Sequence, residues 1–184
     1  TINIPGDIVE CGVFKGISFM FWLKCLKIFS PNSNKKVIGL DMFSGFPNTL
    51  NKIEKKSAKK YVKKSEFKGL DPNKLRILAS KISKENKFEL IKGDVSKTAK
   101  EYTAKNYGFK ISLLHLDLDT YKGTKSALKY FYPKISRGGI IILDEYASRG
   151  WGETQAVDEF IKDKKYKVET LENTDTPTGY IKVI

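Results

Sequence analysis

ISLLHLDLDTY, residues 111–121, lies beyond the middle of the chain. It reads as a buried strand that runs straight into two carboxylates, Asp117 and Asp119, placed two apart. An ionised carboxylate is costly to desolvate unless something pairs with it, so the end of this strand must face a partner. Working outward, the same design recurs. GGIIILDE (138–145) ends on Asp144 and Glu145, FELIKGD (88–94) on Asp94, KKVIGLD (35–41) on Asp41, and GDIVECG (6–12) carries Glu10 just before its end. Helical stretches fall between these runs, at 16–29, about 71–84, 96–105 and 122–132, and again at 152–163. The first is amphipathic, with Phe19, Phe21, Trp22, Leu23 and Leu26, and Pro31 with the Asn-rich segment after it ends that helix.

Strands alternating with helices imply a largely parallel sheet with right-handed crossovers. Two closing strands, KVETLE (167–172) and GYIKVI (179–184), are joined by a turn with Pro177 and Gly179. That link is too short for a parallel crossover, so the pair must be antiparallel. The expectation is an α/β, doubly wound, seven-stranded Rossmann-like sheet, mostly parallel with a C-terminal antiparallel hairpin, in one domain over 1–184. Residues 48–70 stand outside the alternation. Lys52, Lys55, Lys56, Lys59, Lys60, Lys63 and Lys64 recur there at helical spacing. Such a stripe is ordinarily a solvated face; it could also hold an anionic substrate such as a nucleotide diphosphate, and the insertion suits a lid over the sheet's carboxyl edge.

Bulk properties narrow the class. With 40% hydrophobic and 12% aromatic residues the chain is globular rather than disordered. No apolar run approaches the roughly 20 residues that span a bilayer, and no signal peptide is evident. Cys11 and Cys25 match no metal spacing and read as reduced, buried small hydrophobes, which fits a cytoplasmic protein. The formal charge of +13 rests almost wholly on lysine. Specific phosphate or base recognition tends to recruit arginine, so the charge reads as a solvated surface and nucleic acid is not the expected partner.

Ligands of open parallel sheets bind outside the carboxyl ends of the strands, near the point where strand order reverses. One or two acids at strand ends are explained as helix caps; an acid on every parallel strand is a rim. The glycines after the first strand, Gly12 and Gly16, permit a tight turn beside a ligand, but neither G-x-G-x-x-G nor a Walker A motif occurs. Asp41 ends the second strand, where an acid accepts hydrogen bonds from a ribose diol. A ribose site without a diphosphate cradle fits S-adenosylmethionine better than NAD or ATP.

At this point the sequence resembles the class I S-adenosylmethionine-dependent methyltransferases, and within them the macrocin O-methyltransferase family, which methylates sugar hydroxyls. The resemblance runs through GDIVECGVFKGIS (6–18), VIGLDMFSGFP (37–47), LIKGDV (90–95), LLHLDLDTYKGTKSALKYFYPKISRGGIIILDEY (113–146), WGETQAVDEF (151–160) and PTGYIKVI (177–184). It implies that Glu10, Gly12, Gly16 and Ser18 surround the methionine part of the cofactor, and that Asp41 holds the ribose. Met42 and Phe43 would lie beside the adenine, with Asp94 and Val95 touching it from the third strand. It implies a divalent cation, Mg²⁺, on Asp117, Asp144 and Glu145, with Asp117 as ligand and base together and Asp119 near the cofactor or substrate rim. Where the family commonly has two adjacent aspartates, this chain has Asp144 followed by Glu145.

A hard cation suits carboxylate ligands, and by coordinating a hydroxyl it lowers the pKa and orients the group. His115 lies on the same strand face as Asp117, one step deeper, and reads as structural. Trp151 and Tyr146 could stack on a sugar or close the core edge, and Trp22 reads as packing. The resemblance implies a sugar or nucleotide-sugar acceptor and admits a homodimer. Because relatives carry helical sequence upstream of the first strand, the chain reads as a fragment or truncated member. The rival readings are an RNA methyltransferase and a non-catalytic cofactor- or nucleic-acid-binding module. The absence of an Asn-Pro-Pro-Tyr-like signature weighs against the first and the intact acid rim against the second.

Overall fold

The computed structural model describes residues 2–65, 70–172 and 174–184; the side chains of residues 64, 65 and 85 also lie outside that description. The elements are β1 (Asp7–Cys11), α1 (Ile17–Phe29), β2 (Val37–Asp41), α2 (Lys52–Ser65), α3 (Pro72–Ser80), β3 (Phe88–Lys92) and α4 (Val95–Lys105). They continue with β4 (Ile111–Leu116), α5 (Tyr121–Phe131), β5 (Ile135–Leu143), α6 (Glu153–Ile161), β6 (Glu169–Thr170) and β7 (Gly179–Lys182). The strands form one sheet in the order β3-β2-β1-β4-β5-β7-β6. β1 to β5 run parallel, and β7 is antiparallel to both β5 and β6. The expected doubly wound sheet with its terminal antiparallel pair is therefore present.

Burial follows from position. β4 is covered on both faces, and all six of its residues are buried, as a central parallel strand requires. One face carries Val9, Cys11, Leu114, Leu116, Ile141 and Leu143 against Val95, Ala99, Ala127, Leu128, Phe131 and Val157 from α4, α5 and α6. The other carries Ile8, Val37 and Leu113 against Phe19 and Leu23 of α1 and Leu75 and Ala79 of α3. Cys11 is buried and Cys25 only half-buried, both as free thiols. No helix among the described residues is long and apolar enough to cross a membrane.

The edges differ from expectation. β5 begins at Ile135 rather than 138, because Ile135 pairs with Ile111 before the register shifts between Ile111 and Leu113. The expected strand 167–172 shrinks to Glu169 and Thr170, both exposed; an edge strand with one neighbour needs only the bonds it can share. The insertion does form a helix, α2; residues 66–69 of the insertion lie outside the described residues. It opens with a capping box: Asn51 Oδ1 accepts the N–H groups of Ile53 and Glu54, and Glu54 Oε2 accepts that of Asn51. Lys52, Lys55, Lys56, Lys59, Lys60 and Lys63 are exposed, whereas Glu54 and Ala58 are buried. At about 100° per residue Lys52, Lys55, Lys56, Lys59 and Lys63 fall on the side away from Tyr61, which lines the cleft described next, and Lys60 lies on the flank between.

Candidate active site

The strand order reverses between β1 and β4, and a cleft of about 350 Å³ opens there at the carboxyl edge. Gly12, Asp41, Met42, Asp94, Val95, Asp117, Asp144 and Glu145 all line it. So do Asp119 and four aromatic residues, Phe14, Phe46, Tyr61 and Trp151. Phe46 stacks on Trp151 with ring centroids 5.5 Å apart, and Tyr61 meets Phe46 edge-on at 6.2 Å. Trp151 therefore belongs to the cleft. Tyr146 instead packs against the core and donates its hydroxyl to Asp158 Oδ1 at 2.8 Å.

Four of the residues singled out from sequence do not line this cleft. Phe43 is buried in the core beside α1 and α3. Gly16 abuts Leu75. Glu10 is fully buried and accepts a hydrogen bond from Ser18 Oγ. Register explains where Glu10 went. It pairs with His115, which pairs with Ile142. Asp144 stands two residues beyond Ile142 on the same face. The row is an electrostatic chain: His115 Nδ1 lies 3.6 Å from Glu10 Oε1, an ion-pair distance rather than a hydrogen bond, and His115 Nε2 lies 3.4 Å from Asp144 Oδ1. Burial pushes the imidazole toward neutrality, but hydrogen bonding to Asp144 and the charge of Glu10 outweigh it and lift its pKa to about 10. Trp22 packs edge-on against the ring at 5.9 Å.

Asp41 and Asp94 have structural partners of their own. Asp41 Oδ2 accepts the N–H groups of Val13 at 2.7 Å and Phe14 at 3.0 Å, and Oδ1 accepts that of Phe43 at 2.5 Å. The carboxylate thus ties the β1–α1 turn to the end of β2, holding Phe14 (φ 48°) and Phe43 (φ 52°) in the left-handed region. Asp94 caps α4 through Ser96 N–H at 2.8 Å. Gly12 (φ 92°) is glycine because a Cβ there would overlap the carbonyl oxygen of Asp117. The close approach expected toward a ligand is made first to β4.

Ligating atoms of His115, Asp117 and Asp144 lie within 4.8 Å of one another. Burial, then the charge of Asp144, pushes Asp117 well above the usual carboxylate range, with His115 opposing. Burial, then Glu145, Asp144 and Glu54, lifts Asp119 to about 7; its backbone is left-handed, at φ 60°. Among the described residues, His115 is the one cationic group recorded against these carboxylates. Two further acids escaped the sequence reading. Glu153, fully buried on the first turn of α6, accepts Glu145 N–H at 3.1 Å, and burial pushes its carboxyl well up. Glu54 of α2 is also buried, and Oε1 accepts Tyr121 N–H at 2.6 Å. The Asn51-x-x-Glu54 spacing was legible as a capping box; nothing local announces its bond to Tyr121.

The deciding observation is that a model of the family described as Macrocin-O-methyltransferase (TylF) matches residues 1–182. The chain belongs to that family. It is 24% identical over 149 residues to an 8-demethyl-8-(2,3-dimethoxy-alpha-L-rhamnosyl)-tetracenomycin-C 4'-O-methyltransferase of Streptomyces olivaceus, covering 79% of this chain and 54% of that protein. The chain spans about half the length of the curated relatives it matches. Among solved structures, the calicheamicin methyltransferase CalS11 superposes with a TM-score of 0.85 at 23% identity, covering 98% of this chain and 73% of that one. The mycinamycin-pathway methyltransferase MycE, solved with Mg and SAH, superposes with a TM-score of 0.53 at 14% identity, covering 97% and 45%. These structures share its Rossmann-like methyltransferase fold.

Proposed function

We propose that the protein is an S-adenosylmethionine-dependent O-methyltransferase whose acceptor is a hydroxyl of a sugar or glycosylated small molecule. The observation that carries this reading is the crowding of Asp117, Asp119, Asp144 and Glu145 onto one aromatic-walled cleft at the switch point, in a chain of this family. The cleft offers both halves of a methyl transfer. Asp41 has one acceptor direction beyond its three backbone bonds, enough for a ribose hydroxyl. The stacked Phe46–Trp151 pair, with Tyr61 edge-on to Phe46, forms an aromatic wall suited to a sugar face.

A divalent cation suits the uncompensated carboxylates; Asp117 and Asp144 would hold it, with Glu145 on the same rim. His115 Nε2 already faces Asp144 Oδ1 at 3.4 Å, so in this reading it pairs with that carboxylate rather than with the cation. Bound there, the cation supplies a Lewis acid that orients the acceptor hydroxyl and lowers its pKa. Asp117 receives the hydroxyl proton, and His115 with Glu10 behind it fixes Asp144. The sulfonium is already an activated methyl donor, so the chain mainly aligns the two reactants and excludes water. Calorimetric titration of S-adenosylhomocysteine with and without Mg²⁺ tests the proposal. One-to-one binding lost on Asp41→Ala is the expected result; a folded wild-type protein that binds none in either condition overturns it.

A further inference from the structure

α2 carries one acid among its many lysines, and that acid is buried. A capping-box glutamate ordinarily serves its own helix and keeps its second oxygen in water. Here Glu54 Oε2 serves Asn51 N–H at 2.8 Å while Oε1 crosses to Tyr121 N–H at 2.6 Å. Tyr121 opens α5, whose own cap, Thr120 Oγ1, accepts from Gly123 N–H at 3.3 Å and leaves the first N–H to be met from elsewhere. One carboxylate therefore sits at the amino ends of two helices, where both dipoles favour it. The residues just before α5 are Asp117 to Thr120. Asp119 carbonyl accepts Gly152 N–H at 2.7 Å, and Ser57 of α2 donates to Gly150 carbonyl at 2.8 Å. A Cβ on Gly152 would overlap both Glu54 Oε1 and Tyr121 N, so the 150–152 loop is shaped around this contact.

We propose that Glu54 is a positioning residue of the active site, a clamp that fixes the loop bearing Asp117 and Asp119 to α2 and to the 150–152 loop. A cap alone would not call for a carboxylate here, since Ser, Asn or Gln could accept from Tyr121 without adding negative charge to an acid rim. The carboxylate adds the ability to hold two helix termini together. The consequence for methyl transfer rests on the function proposed above; the clamp itself does not. Through it, the α2 residue Tyr61, the stacked Trp151 and the acids on the loop after β4 keep one mutual geometry.

The test is amide hydrogen exchange, with and without S-adenosylhomocysteine, on the full chain as wild type, Glu54→Gln, Glu54→Ala, Gly152→Ala and the Glu54→Ala/Gly152→Ala double variant. Glu54→Ala is expected to speed exchange at Tyr121 by about 10- to 100-fold, the loss of one charged hydrogen bond. The first turn of α2 follows, while β1 and β4 keep wild-type protection. Glu54→Gln, whose amide oxygen still accepts, restores protection at Tyr121. Gly152→Ala reproduces the Glu54→Ala pattern, and the double variant is no worse than either single one, because both remove the same contact. Unchanged exchange at Tyr121, additive effects, or uniform acceleration extending into β1 and β4 overturns the clamp. Failure of the wild type to bind S-adenosylhomocysteine instead overturns the proposed function, and the exchange comparison in unliganded protein still decides the clamp.

Discussion

Replacing Asp41 separates a structural carboxylate from one that only touches ligand. Asp41→Ala strands three N–H groups, those of Val13, Phe14 and Phe43. Val13 is 2% exposed and Phe43 6%, so water does not readily replace the lost acceptor at either. At about 1–3 kcal/mol for each buried donor left unmet, and with Phe14 discounted because it faces the cleft, the loss is about 2–6 kcal/mol. The left-handed backbone at Phe14 and Phe43 relaxes as well, which blurs the turn beside Gly12. Asp41→Asn keeps one oxygen and turns an amide toward the remaining donors, so it falls between wild type and Asp41→Ala. Urea unfolding followed by far-UV circular dichroism reads the difference. With a slope of about 2 kcal/mol/M, a loss of about 3 kcal/mol lowers the midpoint by about 1.5 M. An Asp41→Ala protein with an unchanged midpoint refutes this account of the carboxylate, whatever has become of S-adenosylhomocysteine binding.

Without added metal, stability should fall as pH rises. His115 titrates at about 10 in the native protein against 6.5 normally, and Asp119 at about 7 against 3.8. Both native pKa values are raised, so the histidine contribution is complete below pH 6.5 and lost toward 10, and that of Asp119 is complete below 3.8 and lost through 7. The slope is at most about 1.4 kcal/mol per pH unit for each proton; urea midpoints at pH 5, 7 and 9 that climb would contradict it. Saturating Mg²⁺ should raise the thermal midpoint more at pH 8 than at pH 6, and Asp117→Asn with Asp144→Asn should abolish the shift in differential scanning fluorimetry. An equal shift in that double variant would place the cation elsewhere. Gly12→Ala should cost about 4 kcal/mol or more, enough to deplete folded protein, because its methyl overlaps the Asp117 carbonyl oxygen. A Gly12→Ala protein with wild-type stability would show that β1 and β4 can part without penalty.

Much of the architecture was legible because it is local. A strand such as ISLLHL, an apolar helix face carrying Phe19 and Leu23, and a link too short for a crossover between β6 and β7 each follow from a few neighbouring residues. The acids of the rim were legible too, since β2 and β4 to β5 deliver Asp41, Asp117, Asp144 and Glu145 to the same edge by topology alone. What each acid does there was not. Glu10 and Asp41 stood out equally on the sequence, yet one lies buried between Ser18 and His115 and the other clamps two loops.

The division has one physical cause. Strand order, helix placement and the carboxyl-edge rim arise from periodicity and chain direction, which a linear sequence carries. The contacts of Asp41 with Phe14, His115 with Asp144 and Glu54 with Tyr121 join residues 27, 29 and 67 positions apart, and a register shift of one residue would turn Glu10 and His115 to the opposite face of the sheet. Packing alone decided which carboxylates hold the fold together and which remain to meet a ligand.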